Sequence, residues 1–287
     1  MQYDKSLYIE FCCLIVQSSP MTTAESPRLD RLTALLQGLQ PQVTLLPGSL
    51  LNTAPPPNDA LPALRLLLVL KEPAGPDAAL AATVQEPALL LWRADDVSIA
   101  WPLPAGTQGT LQGHAVLAGP MAGLLLAAFD GVLVLPLASA DPALQQAVQL
   151  IASELQAPRC GGPLLLERAG DILFIGLLRH LIAQPRTPHG LLNGLSDPRL
   201  ARALVAVHSG PQQAWTLERL ADVAGMSRTA FATHFRAVMD QTPGDYLYCL
   251  RMALARDRLG RGQGLKQTAA AVGYTPTSLS RALARRQ

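Results

Sequence analysis

The sequence predicts an α+β protein, with a β-rich N-terminal part and an all-α C-terminal part. Three observations support this. Short apolar runs separated by Pro and Gly extend from Val43 to Leu137, and helical patterns follow from Asp141. Near the C-terminus one spacing of small and apolar residues occurs twice, 48 residues apart. With 287 residues, the chain has room for two domains with separate cores.

The short apolar runs indicate the strands of a small antiparallel barrel or sandwich. They are Val43 to Leu46, Leu64 to Leu70, Ala88 to Trp92, Val97 to Trp101, Ala115 to Ala118, Leu124 to Phe129 and Val132 to Leu135. Pro-rich segments at Pro55 to Pro57 and Pro73 to Pro76 mark loops. The longest uncharged stretch, Val97 to Phe129, is broken by prolines and glycines, so no membrane span is expected.

Two helices are predicted after the strands. Asp141 and Pro142 form an N-cap pair for a helix to about Gln156, and a second helix runs from about Pro163 to Ala183. The second helix is apolar nearly all round, so it is expected to pack on more than one side, within the core or as a dimer surface. Gln184 to Ser196 has the composition of a linker.

Residues 1–20 are predicted to be an extension of the folded part. Leu7 to Val16 resembles a short secretory core, but Glu10 interrupts it and no cleavage site follows, so a signal peptide is not expected. Met21 is an alternative start, and Ser26 and Pro27 would begin a helix that continues through Leu36.

Positive charge is concentrated in the C-terminal third. From Asp197 onward, 13 Lys and Arg stand against 6 Asp and Glu, a net charge of +7, whereas the rest of the chain carries −5. This distribution favours a polyanion partner for that third. The four cysteines have neither metal-ligand spacing nor disulfide density, which favours a reducing cytoplasm. They are Cys12, Cys13, Cys160 and Cys249.

The repeated spacing predicts two helix-turn-helix units. Ala221, Gly225, Phe231 and Phe235 in the first unit correspond to Ala269, Gly273, Leu279 and Leu283 in the second. The small residue lets two helices cross closely, the glycine turns the chain, and the apolar residues anchor the second helix. Two copies in a basic region favour DNA binding over a purely structural helical bundle.

In the first unit, Thr216 and Ser227 are the expected N-caps. The exposed face of the second helix would place Thr229, Ala232 and Thr233 in the DNA groove, and Arg228 and Arg236 on phosphates. Pro243 begins a connecting helix to about Leu259, ended by Gly260. Its length of about 25 Å can hold two reading helices about one DNA turn apart.

In the second unit, Thr275 and Pro276 begin the reading helix. Its outward residues are Thr277, Ser278, Ser280, Arg281 and Arg285. Because Arg281 lies one turn into the helix, it is the best candidate for a bidentate contact to guanine.

The C-terminal residues carry a resemblance to a known family. WTLERLADVAGMSRTAFATHFRAVMDQTPGDYL, RMALARDRL and AAAVGYTPTSLSRAL resemble the DNA-binding domain of AraC/XylS-type transcription regulators. LLLERAGDILFIGLLRHL and LSDPRLARALVAVHSGP resemble the subgroup with an N-terminal cupin-like domain. The resemblance assigns groove-facing positions to Thr229, Ala232, Thr233, Thr277, Ser278, Ser280 and Arg281.

After the extension at 1–20, the resemblance implies a degenerate cupin-like β-barrel as sensory domain at 21–139, a helical dimerisation and linker region at 140–196, and a DNA-binding domain at 197–287. It further implies a cytoplasmic, sequence-specific regulator that binds double-stranded DNA as a homodimer. A small-molecule effector and RNA polymerase are the other partners expected of such a regulator.

Three features depart from the family pattern. Ala232 and Thr233 stand where relatives often carry Arg or Gln, which weakens direct base reading by the first unit. The second unit is one residue shorter than usual between Gly273 and Leu279, which either rotates the helix start or is absorbed in the turn. The chain also stops at Gln287, before the aromatic residue and glycine that usually follow.

The N-terminal half offers no catalytic constellation, so neither a cofactor nor a metal is expected. His114 is the lone histidine of the predicted barrel and is interpreted as a polar residue at a strand end. Asp95 and Asp96 are interpreted as turn formers. Trp92 and Trp101 could line a ligand cavity, but core packing is the favoured role for both.

Two alternatives to a DNA-binding regulator remain open. The chain could be an interaction or co-regulator protein whose helix-turn-helix units have lost their base contacts. It could also be a cupin enzyme fused to a DNA-binding domain, which would need a bound metal.

Overall fold

The computed structural model describes residues 30–47, 62–70, 87–96 and 110–284. Several predicted features lie outside these residues: the N-terminal extension, the helix start at Ser26, the strand Val97 to Trp101, the two Pro-rich loops and Arg285.

Five strands form one antiparallel sheet in the order β1-β4-β2-β3-β5. They are β1 (Pro41–Pro47), β2 (Ala63–Val69), β3 (Ala88–Arg93), β4 (Thr110–Leu117) and β5 (Leu133–Pro136). The strands predicted at Val43, Leu64, Ala88 and Val132 are confirmed, and the α+β class with them. Within the described part of the chain the sheet is open rather than closed into a barrel.

The helices precede, interrupt and follow the sheet. They are α1 (Thr33–Leu39), α2 (Ala122–Leu126), α3 (Pro142–Gln156), α4 (Gly162–Ala183), α5 (Leu191–Ser196), α6 (Pro198–Ser209), α7 (Leu217–Ala224), α8 (Arg228–Met239), α9 (Pro243–Gly260), α10 (Leu265–Ala271) and α11 (Pro276–Ala284). None of those in the described ranges has both the length and the apolar character needed to cross a bilayer.

Strand β4 begins earlier than the sequence indicates, and this corrects the interpretation of His114. Gly113 and His114 lie in the middle of the strand, where Gly113 pairs with Leu45 of β1 and Leu66 of β2. A Cβ at Gly113 would lie 2.6 Å from the carbonyl oxygen of Thr44, so the close approach of β1 requires glycine here. His114 is therefore not a residue at a strand end.

The strand predicted from Leu124 to Phe129 is wrong, because the structure has helix α2 there. Leu125, Leu126 and Phe129 are buried, and such a short apolar run fits a buried helix as well as a strand. The chain enters α2 through a tight contact with α1, where Met121 N–H donates to Gly38 O at 2.9 Å.

Helices α3 and α4 are confirmed, and α4 packs on more than one side as expected. Its Gly170 lies against Val43 of β1, and its Gly176 lies against the backbone of α3. A Cβ at Gly176 would come within 2.9 Å of Leu144 Cα, so glycine permits the close crossing of the two helices. Asp141 caps α3 by accepting the Ala143 N–H at 2.9 Å.

One hydrophobic core extends from the sheet into the helices that follow it. It includes Leu64 and Leu66 of β2, Leu144 of α3, Leu177 of α4 and Phe231 of α8. The segment predicted as a linker contributes helix α5 to this core through Leu191, Leu192 and Leu195. This connection is therefore a packed element.

A polar pair, the buried Tyr246 and the half-buried His208, joins α6 to α9. His208 Nε2 and the Tyr246 hydroxyl are hydrogen-bonded at 2.5 Å. Burial lowers the pKa of His208 to about 4, and burial also raises the pKa of Tyr246 above its usual range. Both groups are therefore neutral at pH 7, and the two helices are joined without charge.

The depressed pKa of His208 predicts a loss of stability in mild acid. Between pH 6.5 and about pH 4 the unfolded chain binds a proton at His208 that the folded chain does not, so the free energy of unfolding falls as the pH is lowered. The loss should be on the order of 3 kcal/mol across this window. We expect His208→Gln to be less stable than the wild type at pH 7.5 but to lose less stability on acidification.

Denaturant unfolding at several pH values measures this difference. His189→Gln, which changes an exposed histidine, is the matched control and should keep the wild-type pH dependence. A His208→Gln variant with the same pH slope as the wild type would contradict the prediction.

Candidate nucleic-acid interface

Helices α7 and α8 form the first helix-turn-helix unit, with the predicted caps in place. Thr216 Oγ1 accepts the Arg219 N–H at 3.2 Å, and Ser227 Oγ accepts the Ala230 N–H at 3.3 Å. Gly225 lies between them with a φ of 69°, a left-handed conformation in which glycine is unstrained. These local interactions fix where α8 begins.

Aromatic packing holds α8 against the core. Phe231 and Phe235 are buried with ring centroids 5.6 Å apart, and Phe235 meets Tyr246 of α9 edge-on at 5.9 Å. Such aromatic contacts stabilise beyond the area they bury. They fix the rotation of α8 about its axis, and so determine which residues face outward.

Polar contacts with the segment before α6 also hold α8 in place. His234 Nε2 lies 2.7 Å from Asp197 Oδ2, and Asp197 also caps α6. Burial opposes ionisation of Asp197, but hydrogen bonds from the Leu200 N–H and from His234 outweigh it, so the pKa of Asp197 lies below its usual range. At the other end, the Gly190 N–H donates to Val238 O at 2.9 Å. The predicted linker region thus supports the reading helix directly.

The predicted reading residues of the first unit lie on one side of α8. Arg228, Thr229, Thr233 and Arg236 are exposed, and Ala232 is half-buried. Arg228 Nη1 lies 2.8 Å from Glu218 Oε1 at the start of α7, and this hydrogen bond lowers the pKa of Glu218. A phosphate would compete with Glu218 for Arg228.

A groove of about 940 Å³ runs beside this face of α8. Thr233 and Arg236 line it from α8, Thr216 lines it at the start of α7, and Thr242 and Gly244 line it at the start of α9. The N–H groups of two helix N-termini therefore border the groove next to the guanidinium group of Arg236, an arrangement that favours anions such as phosphate, while the carboxylate of Asp240 lines the groove as well. The sequence predicts the cap at Thr216 and the helix start at Pro243, but it does not bring the two together.

Helices α10 and α11 form the second unit with the same turn geometry. Gly273 has a φ of 73°, and Thr275 Oγ1 accepts the Ser278 N–H at 3.2 Å to cap α11. The glycine and the cap are spaced as in the first unit, so the short spacing is accommodated within the turn. The predicted outward residues Thr277, Ser278, Ser280 and Arg281 are all exposed.

The second unit has a separate, smaller core. Met252 and Ala255 of α9 pack with Ala269, Val272 and Leu279. The Tyr248 hydroxyl of α9 donates to Ala282 O at 3.0 Å and holds α11 in place. The unit thus depends on α9, whose last residue is Gly260, at the end predicted for this helix. Gly262 follows in a left-handed conformation with a φ of 79°.

The N-terminal half contributes no metal centre in the residues that the structure describes, since no group of three or more His, Cys, Asp or Glu converges there. Asp95 lies in the turn after β3, as predicted, and accepts a bidentate hydrogen bond from Arg93 at 2.9 and 2.6 Å. This hydrogen bond lowers the pKa of Asp95. Trp92 is buried in a small cluster with Leu67 and Leu90, so core packing is its role in the structure.

Comparison with known families finds a match in each half of the chain. A cupin family model matches residues 67–183, and a helix-turn-helix domain model matches residues 220–286. No solved structure matches the chain.

Curated relatives match over part of their length. The HTH-type transcriptional regulator AlkR of Acinetobacter baylyi is 38% identical over 50% of this chain and 47% of its own length. A putative AraC-like transcription regulator of Streptomyces lividans is 37% identical over 45% of this chain and 43% of its own. The RCS-specific HTH-type transcriptional activator RclR of Escherichia coli is 33% identical, covering 41% of this chain and 42% of its own.

The chain spans a little under half the length of the curated relatives it matches. Its order of domains, a cupin followed by helix-turn-helix units, is that of the subgroup indicated by the C-terminal motifs. The chain thus carries a cupin domain followed by a helix-turn-helix domain, and with its AraC-like relatives this supports its similarity to AraC/XylS-type proteins that have an N-terminal cupin domain.

Proposed function

We propose that the protein is a sequence-specific, DNA-binding regulator of transcription. The observation that carries this proposal is the pair of capped reading helices, α8 and α11, which present exposed Thr, Ser and Arg side chains on the basic third of the chain. The curated relatives are themselves named as transcriptional regulators, which supports it. The proposal includes a cytoplasmic location, contact with RNA polymerase and no enzymatic activity.

The two units would read DNA differently. The first presents Thr229, Ala232 and Thr233, which suit contacts to thymine methyl groups, with Arg236 and the bordering helix N-termini on phosphates. The second presents Arg281, whose planar guanidinium suits the O6 and N7 atoms of guanine. Most of the base discrimination is thus assigned to α11, and most of the backbone positioning to α8.

We expect Arg281→Ala to weaken binding to a specific duplex by about tenfold or more, because a bidentate pair contributes about 1 to 3 kcal/mol of discrimination. Binding to a scrambled duplex should change much less. Arg236→Ala should weaken binding to both duplexes by a similar factor. It should also reduce the slope of log affinity against log salt concentration by about one. Fluorescence anisotropy, with a duplex selected by the wild-type protein from a random-sequence library, measures these affinities.

Arg186→Ala is the matched control, since it removes an exposed positive charge from the loop between α4 and α5. It should leave both affinities unchanged. If the wild-type protein binds no duplex at low salt, the regulator proposal fails, and the co-regulator with decayed helix-turn-helix units is favoured.

The proposal includes a homodimer that forms through α4. Leu164 and Ile172 lie eight residues apart on this helix and are 59% and 48% exposed, respectively, a high exposure for large apolar side chains. Ile172→Glu should shift the protein from dimer to monomer in sedimentation experiments, because it would bury a charge in the interface. Leu265→Glu, a change at an exposed leucine on α10, should leave the dimer intact. A monomeric wild-type protein would refute this part of the proposal.

Control by a small molecule in the cupin part is also proposed. On the sheet face that carries Trp92, Gln112 Oε1 and His114 Nε2 are buried and have no hydrogen-bond partner in the described chain. Burial lowers the pKa of His114, and the nearby charge of Arg65 lowers it further, so the ring is neutral. Unsatisfied groups of this kind suit a ligand with hydrogen-bonding atoms.

Calorimetry against a panel of metabolites tests the effector. A compound that binds this face should lose about tenfold in affinity in Gln112→Leu, because one hydrogen bond is removed. A panel without any binder, together with a C-terminal half that regulates as the full chain does, would count against ligand control.

A further inference from the structure

A second cavity lies between the cupin part and the DNA-binding part. Its volume is about 600 Å³, within the usual range of small-molecule sites. One wall is formed by Gln37 of α1, by Gln40 at the C-terminal end of this helix and by Met121 before α2. The opposite wall is formed by Arg258 and Arg261 at the end of α9. Both walls belong to the same compact unit of the chain.

The two arginines of this cavity differ in their partners. Arg261 donates from Nε to Asp257 Oδ1 and from Nη2 to Gln40 Oε1, both at 3.0 Å, so its charge is compensated. Arg258 donates from Nη1 to Gln263 Oε1 at 3.0 Å, which is a neutral acceptor. Among the described lining residues, Arg258 is thus a cation that has no carboxylate partner.

We propose that this cavity binds a small carboxylate-bearing metabolite, whose carboxylate pairs with the guanidinium of Arg258. Guanidinium groups bind carboxylates through two parallel hydrogen bonds, and the terminal nitrogens of Arg258 offer further donors beside the one that Gln263 accepts. The side-chain amides of Gln37 and Gln212 also line the cavity and can bind the remaining polar atoms of the ligand.

This site is separate from the sheet face that carries Gln112 and His114. Helix α1 and Met121 pack with Leu64 and Leu66, on the opposite face of β2 from Leu67. A ligand between α1 and α9 would therefore not contact the residues assigned to the cupin effector. The two sites can be distinguished by separate substitutions.

The position of the cavity gives the ligand a route to DNA binding, and this step rests on the proposed function. The Arg261 to Gln40 hydrogen bond joins residues 221 positions apart, and Arg258 lies one turn before Arg261 on the same helix. A ligand held by Arg258 and α1 would add a second connection between α9 and the cupin part. Because α9 carries the second unit, DNA affinity should change about fivefold or more on ligand binding.

Calorimetry and thermal melting of the full chain test the site, with acetate, succinate, glutamate and benzoate as carboxylate probes. Inorganic phosphate and glycerol phosphate are tested in parallel as phosphate probes. At least one carboxylate should bind and raise the melting temperature. Arg258→Gln should weaken that binding about tenfold or more, because it removes a charge-assisted pair. Ala34→Leu, which fills the cavity from α1, should abolish it while circular dichroism shows a folded protein.

Arg186→Gln is the matched control and should bind the carboxylate as the wild type does. The proposal is overturned if no carboxylate binds, if only the phosphates bind, or if Arg258→Gln and Ala34→Leu bind normally while Gln112→Leu does not. A ligand that binds through Arg258 but leaves DNA affinity unchanged overturns the coupling. A protein that binds the ligand but no DNA contradicts the proposed function and leaves the site standing.

Discussion

Packing on both sides of α9 is the constraint on which the DNA-binding part depends. Tyr246, Leu247 and Leu250 join the core of the first unit, while Met252 and Ala255 join the core of the second. Helices α10 and α11 have 7 and 9 residues, too short to be stable alone in water. Since α9 rises about 27 Å over its 18 residues, it both stabilises the second unit and sets its distance from the first.

The two units are attached to the cupin part with different strength. The first unit shares one continuous hydrophobic core with the sheet, through α3, α4 and the helices that follow. The second unit has a separate core and is joined to the rest by α9 and by the close approach of Gly273 to the backbone of Gln212. A change in the position of the second unit would break few apolar contacts, whereas moving the first would open the main core. The second unit is therefore the part whose position can change at the lower energetic cost.

The sequence was most informative where structure is determined locally. The caps at Thr216, Ser227 and Thr275 and the left-handed glycines at Gly225 and Gly273 depend on a few neighbouring residues, and the structure has each of them. For the same reason the exposed faces of α8 and α11 could be assigned from spacing alone.

Sequence reasoning failed where the outcome depends on contacts between distant segments. Leu124 to Phe129 lies in a helical segment that packs against β2 and α5, and Gly113 lies within a strand because β1 approaches it closely. The burial of α5 and the cavity between α1 and α9 also arise from tertiary packing. No local sequence pattern in residues 184–196 predicts the burial of α5, and none around Arg258 predicts the cavity.

The pairing of charges in the free protein differs between the two helix-turn-helix units. Arg228 donates from Nη1 to Glu218, so a phosphate that binds its other donors would also lie near the exposed Glu218 carboxylate. The Glu218 to Arg228 pair therefore opposes unspecific electrostatic attraction at the first unit. Arg281, by contrast, is exposed and makes no hydrogen bond within the described chain, so its donors are available to a base. Under the proposed function, a first unit with a restrained charge and a second unit with an available guanidinium assign sequence discrimination to α11, which packs in the separate core of the second unit.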